Sequence, residues 1–197
     1  MTLELMAWWQ REGRPVPLFY AQREAALTAI FLAEARADFL QGINVPLDEP
    51  SDELKAQGFK AFRRHACKMA TGTGKTTVMA MLAAWSILNK VANRGDRRFS
   101  DAVLVVCPNV TIRSRLAELD PGLGEASLYR TRDLVPERLM PDLKQGRVLV
   151  LNWHVFEKQS TQGGNRVVRA GCGRAAARRR SRFRTDHAAR ARATCRW

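Results

Sequence analysis

Apolar and polar positions change period several times along the chain. Between residues 18 and 40, Ala26, Ile30, Ala33 and Ala37 form one helically spaced row and Leu27, Phe31 and Ala35 another, which predicts an amphipathic helix. Pro15 and Pro17 just before it hold the backbone extended and keep the helix from starting earlier. Residues 41–57 collect Gly42, Pro46, Pro50 and several acids without a period and read as a surface loop. Residues 59–69 are expected to form a strand running into a glycine turn. The following stretch, 75–91, contains neither glycine nor proline and reads as a helix. Two continuous apolar runs follow, Val-Leu-Val-Val-Cys at 103–107 and Val-Leu-Val-Leu at 148–151. Such runs belong to strands covered on both faces of a parallel sheet. Around and between them, 111–119 and 136–144 read as helices and 93–100 and 121–132 as turn and loop. The alternation of strand and helix predicts an α/β chain with a parallel, doubly wound sheet.

Length and charge narrow the picture. A chain of 197 residues has room for one α/β domain with a real core, and is short for a two-lobed motor. The formal charge of +14 points to a polyanionic partner, yet it is unevenly placed: residues 163–197 hold eleven arginines, no lysine and a single acid, Asp186. The first 162 residues are only mildly basic. The opening 13 residues lack the basic start and apolar run of a signal peptide. The longest apolar stretch, 78–88, is too short to span a bilayer, so a cytoplasmic protein without membrane contact is expected. Cys67, Cys107, Cys172 and Cys195 form no CxxC pair and fit no zinc spacing, so reduced, structural thiols are expected.

The chemistry sits between the predicted strand and the predicted helix, in Met69-Ala70-Thr71-Gly72-Thr73-Gly74-Lys75-Thr76. Glycines let a backbone curl around phosphate oxygens with its N–H groups inward, and the helix that follows adds positive potential. In such a loop Lys75 reaches the β- and γ-phosphates of a nucleotide and the Thr76 hydroxyl ligates Mg²⁺. The expected nucleotide-binding set is therefore Thr71, Gly72, Thr73, Gly74, Lys75, Thr76 and Thr77, with Thr76 also the metal ligand and Mg-ATP the expected cofactor. The general pattern GxxxxGK[ST] asks for glycine where this chain has Met69.

That octapeptide resembles motif I of superfamily 2 DEAD/DEAH-box helicases, and specifically of the helicase (Res) subunits of type III restriction enzymes, in which the departure at Met69 is normal. Val103-Leu-Val-Val-Cys-Pro-Asn-Val-Thr111 resembles motif Ia of the same group, and Val148-Leu-Val-Leu-Asn-Trp-His154 is similar to the strand and Asn-x-His turn after it. Leu18-Phe-Tyr-Ala-Gln22 resembles the adenine-recognition segment. The likeness covers about residues 15–160. It implies a RecA-like P-loop NTPase domain. It further implies that Phe19 or Tyr20 stacks on the base while Gln22 reads its edge, and that Pro108, Asn109 and Thr111 touch the DNA backbone. The partners implied are DNA and a methyltransferase (modification) subunit. On this reading the chain divides into an adenine-recognition helix and loop (1–58), a partial RecA-like ATP-binding domain (59–162) and a basic tail (163–197).

Plainer roles compete for several of these residues. Gln22 on an amphipathic helix can be a solvated polar residue, while Asn109 and Thr111 can cap the helix they precede, a role compatible with phosphate contact. Arg113 and Arg115 read as solvated helix charges. His154 falls in no catalytic constellation and reads as structural.

An NTPase of this kind also needs an acid at a strand end to hold Mg²⁺ and orient water. The run at 103–107 ends in Pro108-Asn109 and that at 148–151 in Asn152-Trp153. Neither supplies an Asp-Glu pair, and the DEAD/DEAH box and second lobe implied by the resemblance do not appear. From about Gly163 onward Arg, Ala and Gly make up 23 of the last 35 residues, too little apolar surface to build a core, so this tail is expected to be disordered. Three functions compete: an ATP-binding fragment of a DNA helicase or translocase that cannot complete its cycle; a small P-loop enzyme such as a kinase, for which acid and lid are missing; and a non-enzymatic nucleic-acid binder using the arginine tail. The tail is either an out-of-frame reading of a GC-rich gene or a genuine basic arm.

Overall fold

Helix α4 (Lys75–Ala92) is the element around which the others pack. Its Ala, Met, Leu and Lys residues favour the helix locally, against the β-branched positions Thr76, Thr77, Val78, Ile87 and Val91. Burial on most of its circumference holds it in place: Val78, Met81, Trp85 and Leu88 are buried, and so are Ala80, Ala84 and Ile87. In this computed structural model, which describes residues 1–45 and 47–156, one apolar cluster contains side chains from α4, from α1 (Thr2–Gln10) and from α2 (Tyr20–Glu34). A polar knot fastens the three helices. The Trp85 indole N–H and the Thr2 hydroxyl both donate to Glu34 Oε1, at 2.6 and 2.7 Å.

Strand β3 (Ala102–Cys107) pairs in parallel with β4 (Arg147–Asn152), Val105 opposite Val150. Ser86 in α4 accepts from Ser100 N–H and donates to its carbonyl, and Trp85 meets Phe99 edge to face at 5.2 Å. The turn entering β3 is thereby fixed against α4. The crossover to β4 runs through α5 (Val110–Leu116), a 3₁₀ turn at Ala117–Leu119, another at Pro121–Ala126, α6 (Leu128–Thr131), a third at Glu137–Leu139, and α7 (Met140–Leu143). Tyr129 is buried within it and its hydroxyl donates to Leu119 O at 2.9 Å. That burial raises the phenol's pKa.

Several expectations are corrected. The helix predicted over 18–40 ends at Glu34, where Ala35 turns extended. The stretch 41–57, expected as loop, holds a short strand, Leu47–Asp48 (β1), and a short helix, Asp52–Ala56 (α3). Residues 59–69 do not form a strand leading into the glycine loop: only Phe62–Arg63 (β2) pairs, antiparallel to β1 and apart from the parallel pair. With Lys60, Arg63, Arg64, His65 and Lys68 in it, the segment lacks the apolar run of a strand covered on both faces. Strand β3 is not covered on both faces either; Val105 and Cys107 are buried while Leu104 and Val106 are 51% and 49% exposed. The described residues thus form a mixed α/β fold with a two-stranded parallel sheet, and a doubly wound sheet is not seen among them. Pro141 splits the helix predicted over 136–144, since its ring lacks an N–H and crowds the preceding turn. The stretch 121–132, expected as loop, carries α6 because Leu128 and Tyr129 are pulled into the core.

Candidate nucleotide site

The glycine loop takes the shape its sequence calls for. Gly72 and Gly74 both lie in the left-handed region, at φ +82° and +78°, a conformation that costs other residues energy. Gly74 is also the residue that starts α4. Lys75 and Thr76 occupy its first turn, where backbone N–H groups have no carbonyl a turn earlier to bond and the helix dipole is positive. The Lys75 ammonium lies on the loop's own carbonyls, 3.1 Å from Met69 O and 2.8 Å from Ala70 O. The Thr73 hydroxyl donates to Ala70 O at 2.8 Å. Thr71, Gly72 and Lys75 are exposed, Thr73, Gly74 and Thr76 half-buried, and Thr77 buried.

The start of α2 lies against this loop. Gln22 Nε2 donates to Thr73 O at 2.9 Å and Gln22 Oε1 accepts from Phe19 N–H at 3.0 Å. The amide is buried, whereas the Phe19 and Tyr20 rings are 62% and 70% exposed. Folding therefore brings together the loop and the 19–22 segment, 51 residues apart in the chain at the Gln22–Thr73 bond. The partner of Gln22 had no signal in the sequence, because a backbone carbonyl can be chosen by any donor that packing delivers to it.

At the end of β3, Pro108 and Asn109 are exposed. Asn109 caps α5, its Oδ1 accepting from Ile112 N–H at 2.8 Å, so the capping role expected for it is realised. Thr111, Arg113 and Arg115 are exposed along the same helix. The His154 ring stacks on Trp153, centroids 4.3 Å apart. Cys67 is an exposed free thiol and Cys107 a buried one. Cys172, Cys195 and the basic tail lie outside the described residues. Among the described residues no cluster of His, Cys, Asp or Glu could hold a metal ion, and no helix is long and apolar enough to cross a membrane.

The family model for the type III restriction enzyme, res subunit, matches residues 16–168. The chain belongs to that family. Comparison with curated proteins and with solved structures returned no match. The match takes in the glycine loop, both parallel strands and the 19–22 segment of this res-type chain, and starts after α1, which nonetheless sends Leu5 and Trp9 into the common core.

Proposed function

We propose that this chain is the ATP-binding front part of a DNA helicase or translocase subunit of a restriction-type system, one that holds nucleotide but does not complete hydrolysis alone. The observation that carries the reading is the loop of two left-handed glycines opening α4 with Lys75 folded over it. A triphosphate would take the place of the carbonyls that Lys75 now contacts, with the amides of residues 72–76 around its oxygens. Thr76 would hold Mg²⁺, which when bound neutralises charge on the β- and γ-phosphates. Phe19 and Tyr20 stand at the surface beside the loop, where an aromatic ring can stack on a base. Pro108, Asn109 and Thr111 form an exposed helix start suited to backbone phosphates of DNA.

Phosphoryl transfer depends on positioning and charge stabilisation, and no acid stands at the C-terminal end of β3 or β4. The isolated chain should therefore show no steady ATP turnover, with or without single- or double-stranded DNA, in a phosphate-release assay. DNA-stimulated turnover that disappears in Lys75→Ala would contradict this and locate the missing acid within the chain.

We further propose that the sequence from about Gly163 onward is an out-of-frame reading of a GC-rich gene. Arg, Ala and Gly all have GC-rich codons and dominate there without any lysine, whereas a selected basic arm usually mixes Lys with Arg and includes polar spacers. Translating the locus in all frames past the Gly163 codon should reveal an apolar strand ending in Asp-Glu followed by helicase-like sequence. If no frame does, the arginine run is better read as a nucleic-acid-binding arm. The DNA affinity of the whole chain should then fall with salt far more steeply than that of a chain ending at residue 162.

A further inference from the structure

The C-terminal end of α2 and the β1–β2 hairpin border a groove of about 670 Å³. Its floor is apolar and includes Leu40, Leu47 and the Phe62 ring. Leu47 and Phe62 are 53% and 45% exposed and neither belongs to the apolar core. The rim is cationic, with Lys60, Arg63, His65 and Arg98. Much of that charge is uncompensated. Arg98 pairs with Asp96, and Asp48 of the hairpin is taken by Arg64, whereas Lys60 and Arg63 have no carboxylate partner among the described residues. Glu34, the one acid lining the groove, already accepts from Thr2 and Trp85. Residues 59–68 contain no acid at all.

An apolar floor with an exposed aromatic ring, rimmed by unpaired cations, matches a polymer that carries a flat ring beside each anion. A base stacks on Phe62, and the phosphates flanking it meet Lys60 and Arg63. A duplex keeps its bases stacked on one another and cannot offer one to the ring. An acidic peptide would satisfy the cations, but it carries its charge without a ring beside each anion. We propose that this groove is a docking surface for single-stranded DNA, with Phe62 stacking on a base and Lys60 and Arg63 contacting phosphates. The choice of DNA rests on the restriction-type reading above. The groove itself does not depend on the nucleotide loop, and Pro108, Asn109 and Thr111 do not line it.

Fluorescence anisotropy of the full chain, without nucleotide, tests this with labelled oligodeoxythymidylate, a DNA duplex of equal length, oligouridylate and polyglutamate, each over a range of salt. Phe62→Ala should lose about tenfold in affinity for the single DNA strand, the scale of one lost base stack. It should keep its affinity for the duplex, to which the arginines beyond residue 162 contribute equally in both proteins. Lys60→Gln combined with Arg63→Gln should flatten the dependence of log affinity on log salt by about 1.4, two phosphates at about 0.7 each. Thermal unfolding should stay at the wild-type midpoint in both variants, since the three positions are exposed and outside the core. Unchanged single-strand affinity in Phe62→Ala, or an equal loss on single strand and duplex, would overturn the proposal. So would polyglutamate bound as tightly as the oligonucleotide and with the same losses, which would make the groove an acidic-peptide site. Tighter binding of oligouridylate would overturn the choice of DNA. Because no nucleotide is present, failure of Mg-ATP to bind would leave these results standing.

Discussion

The Trp9→Ala variant is expected to lose about 3–5 kcal/mol of stability from lost apolar burial and the cavity left behind. Trp9 is 1% exposed and its indole N–H donates to Leu134 O at 2.8 Å. Removing the indole empties a large volume and also leaves that carbonyl without its donor, at a further cost of about 1–3 kcal/mol. Against a typical total of about 5–15 kcal/mol, the variant should be largely unfolded in water or show a much lower denaturant midpoint. The sensitivity arises because α1 fastens the segment around Asp133, which holds a left-handed backbone at φ +51° without being glycine. Trp8 Nε1 donates to Asp133 O at 3.0 Å, Arg14 donates to the same carbonyl and to Arg132 O, and Arg11 pairs with the Asp133 carboxylate. Burial and the neighbouring Arg11 lower the Arg14 pKa, yet four carbonyls, including Trp8 O and Val16 O, accept from its guanidinium. Denaturant unfolding of Trp9→Ala within about 1 kcal/mol of wild type, the scale of an ordinary substitution, would show that α1 is not part of the core.

How much of this could be read from the sequence depended on whether an element is determined by its own residues. The helix at 75–91 and the runs at 103–107 and 148–151 have strong local patterns, and α4, β3 and β4 form within a residue of the expected limits. The glycine loop was legible for the same reason, since glycine is the residue that readily takes the left-handed backbone found at Gly72 and Gly74, on either side of Thr73. Segments whose state depends on distant partners were not. Helix α2 stops at Glu34, although the Ala-Arg-Ala that follows could continue it, because Glu34 is held by Thr2 and Trp85 from two other helices. Residues 59–69 carry enough apolar residues to suggest a strand, but a strand needs a neighbour to pair with, and only Leu47–Asp48 meets it. The Pro141 break was visible in principle and its effect was underestimated. The contact between Gln22 and Thr73 could not be read at all, because it joins a side chain to a carbonyl that has no identity in the sequence.

The second large effect is expected at Lys75. On the proposed reading its ammonium is the cation the loop would bring to the phosphates; its present partners are two carbonyls of the same loop, so alanine there removes the charge without disturbing the buried face of α4. The fold should survive, with unchanged circular dichroism, while nucleotide binding disappears. The wild-type chain should bind Mg-ATP weakly, in the micromolar-to-millimolar range that corresponds to about −8 to −4 kcal/mol, because on the proposed reading the described residues would reach a nucleotide from one side only. Calorimetric titration of wild type and Lys75→Ala with Mg-ATP is the most direct test of the account. Measurable heat of binding in the wild type and none in the variant is the predicted result; equal affinity in the two proteins would contradict the assignment of this loop as the nucleotide site.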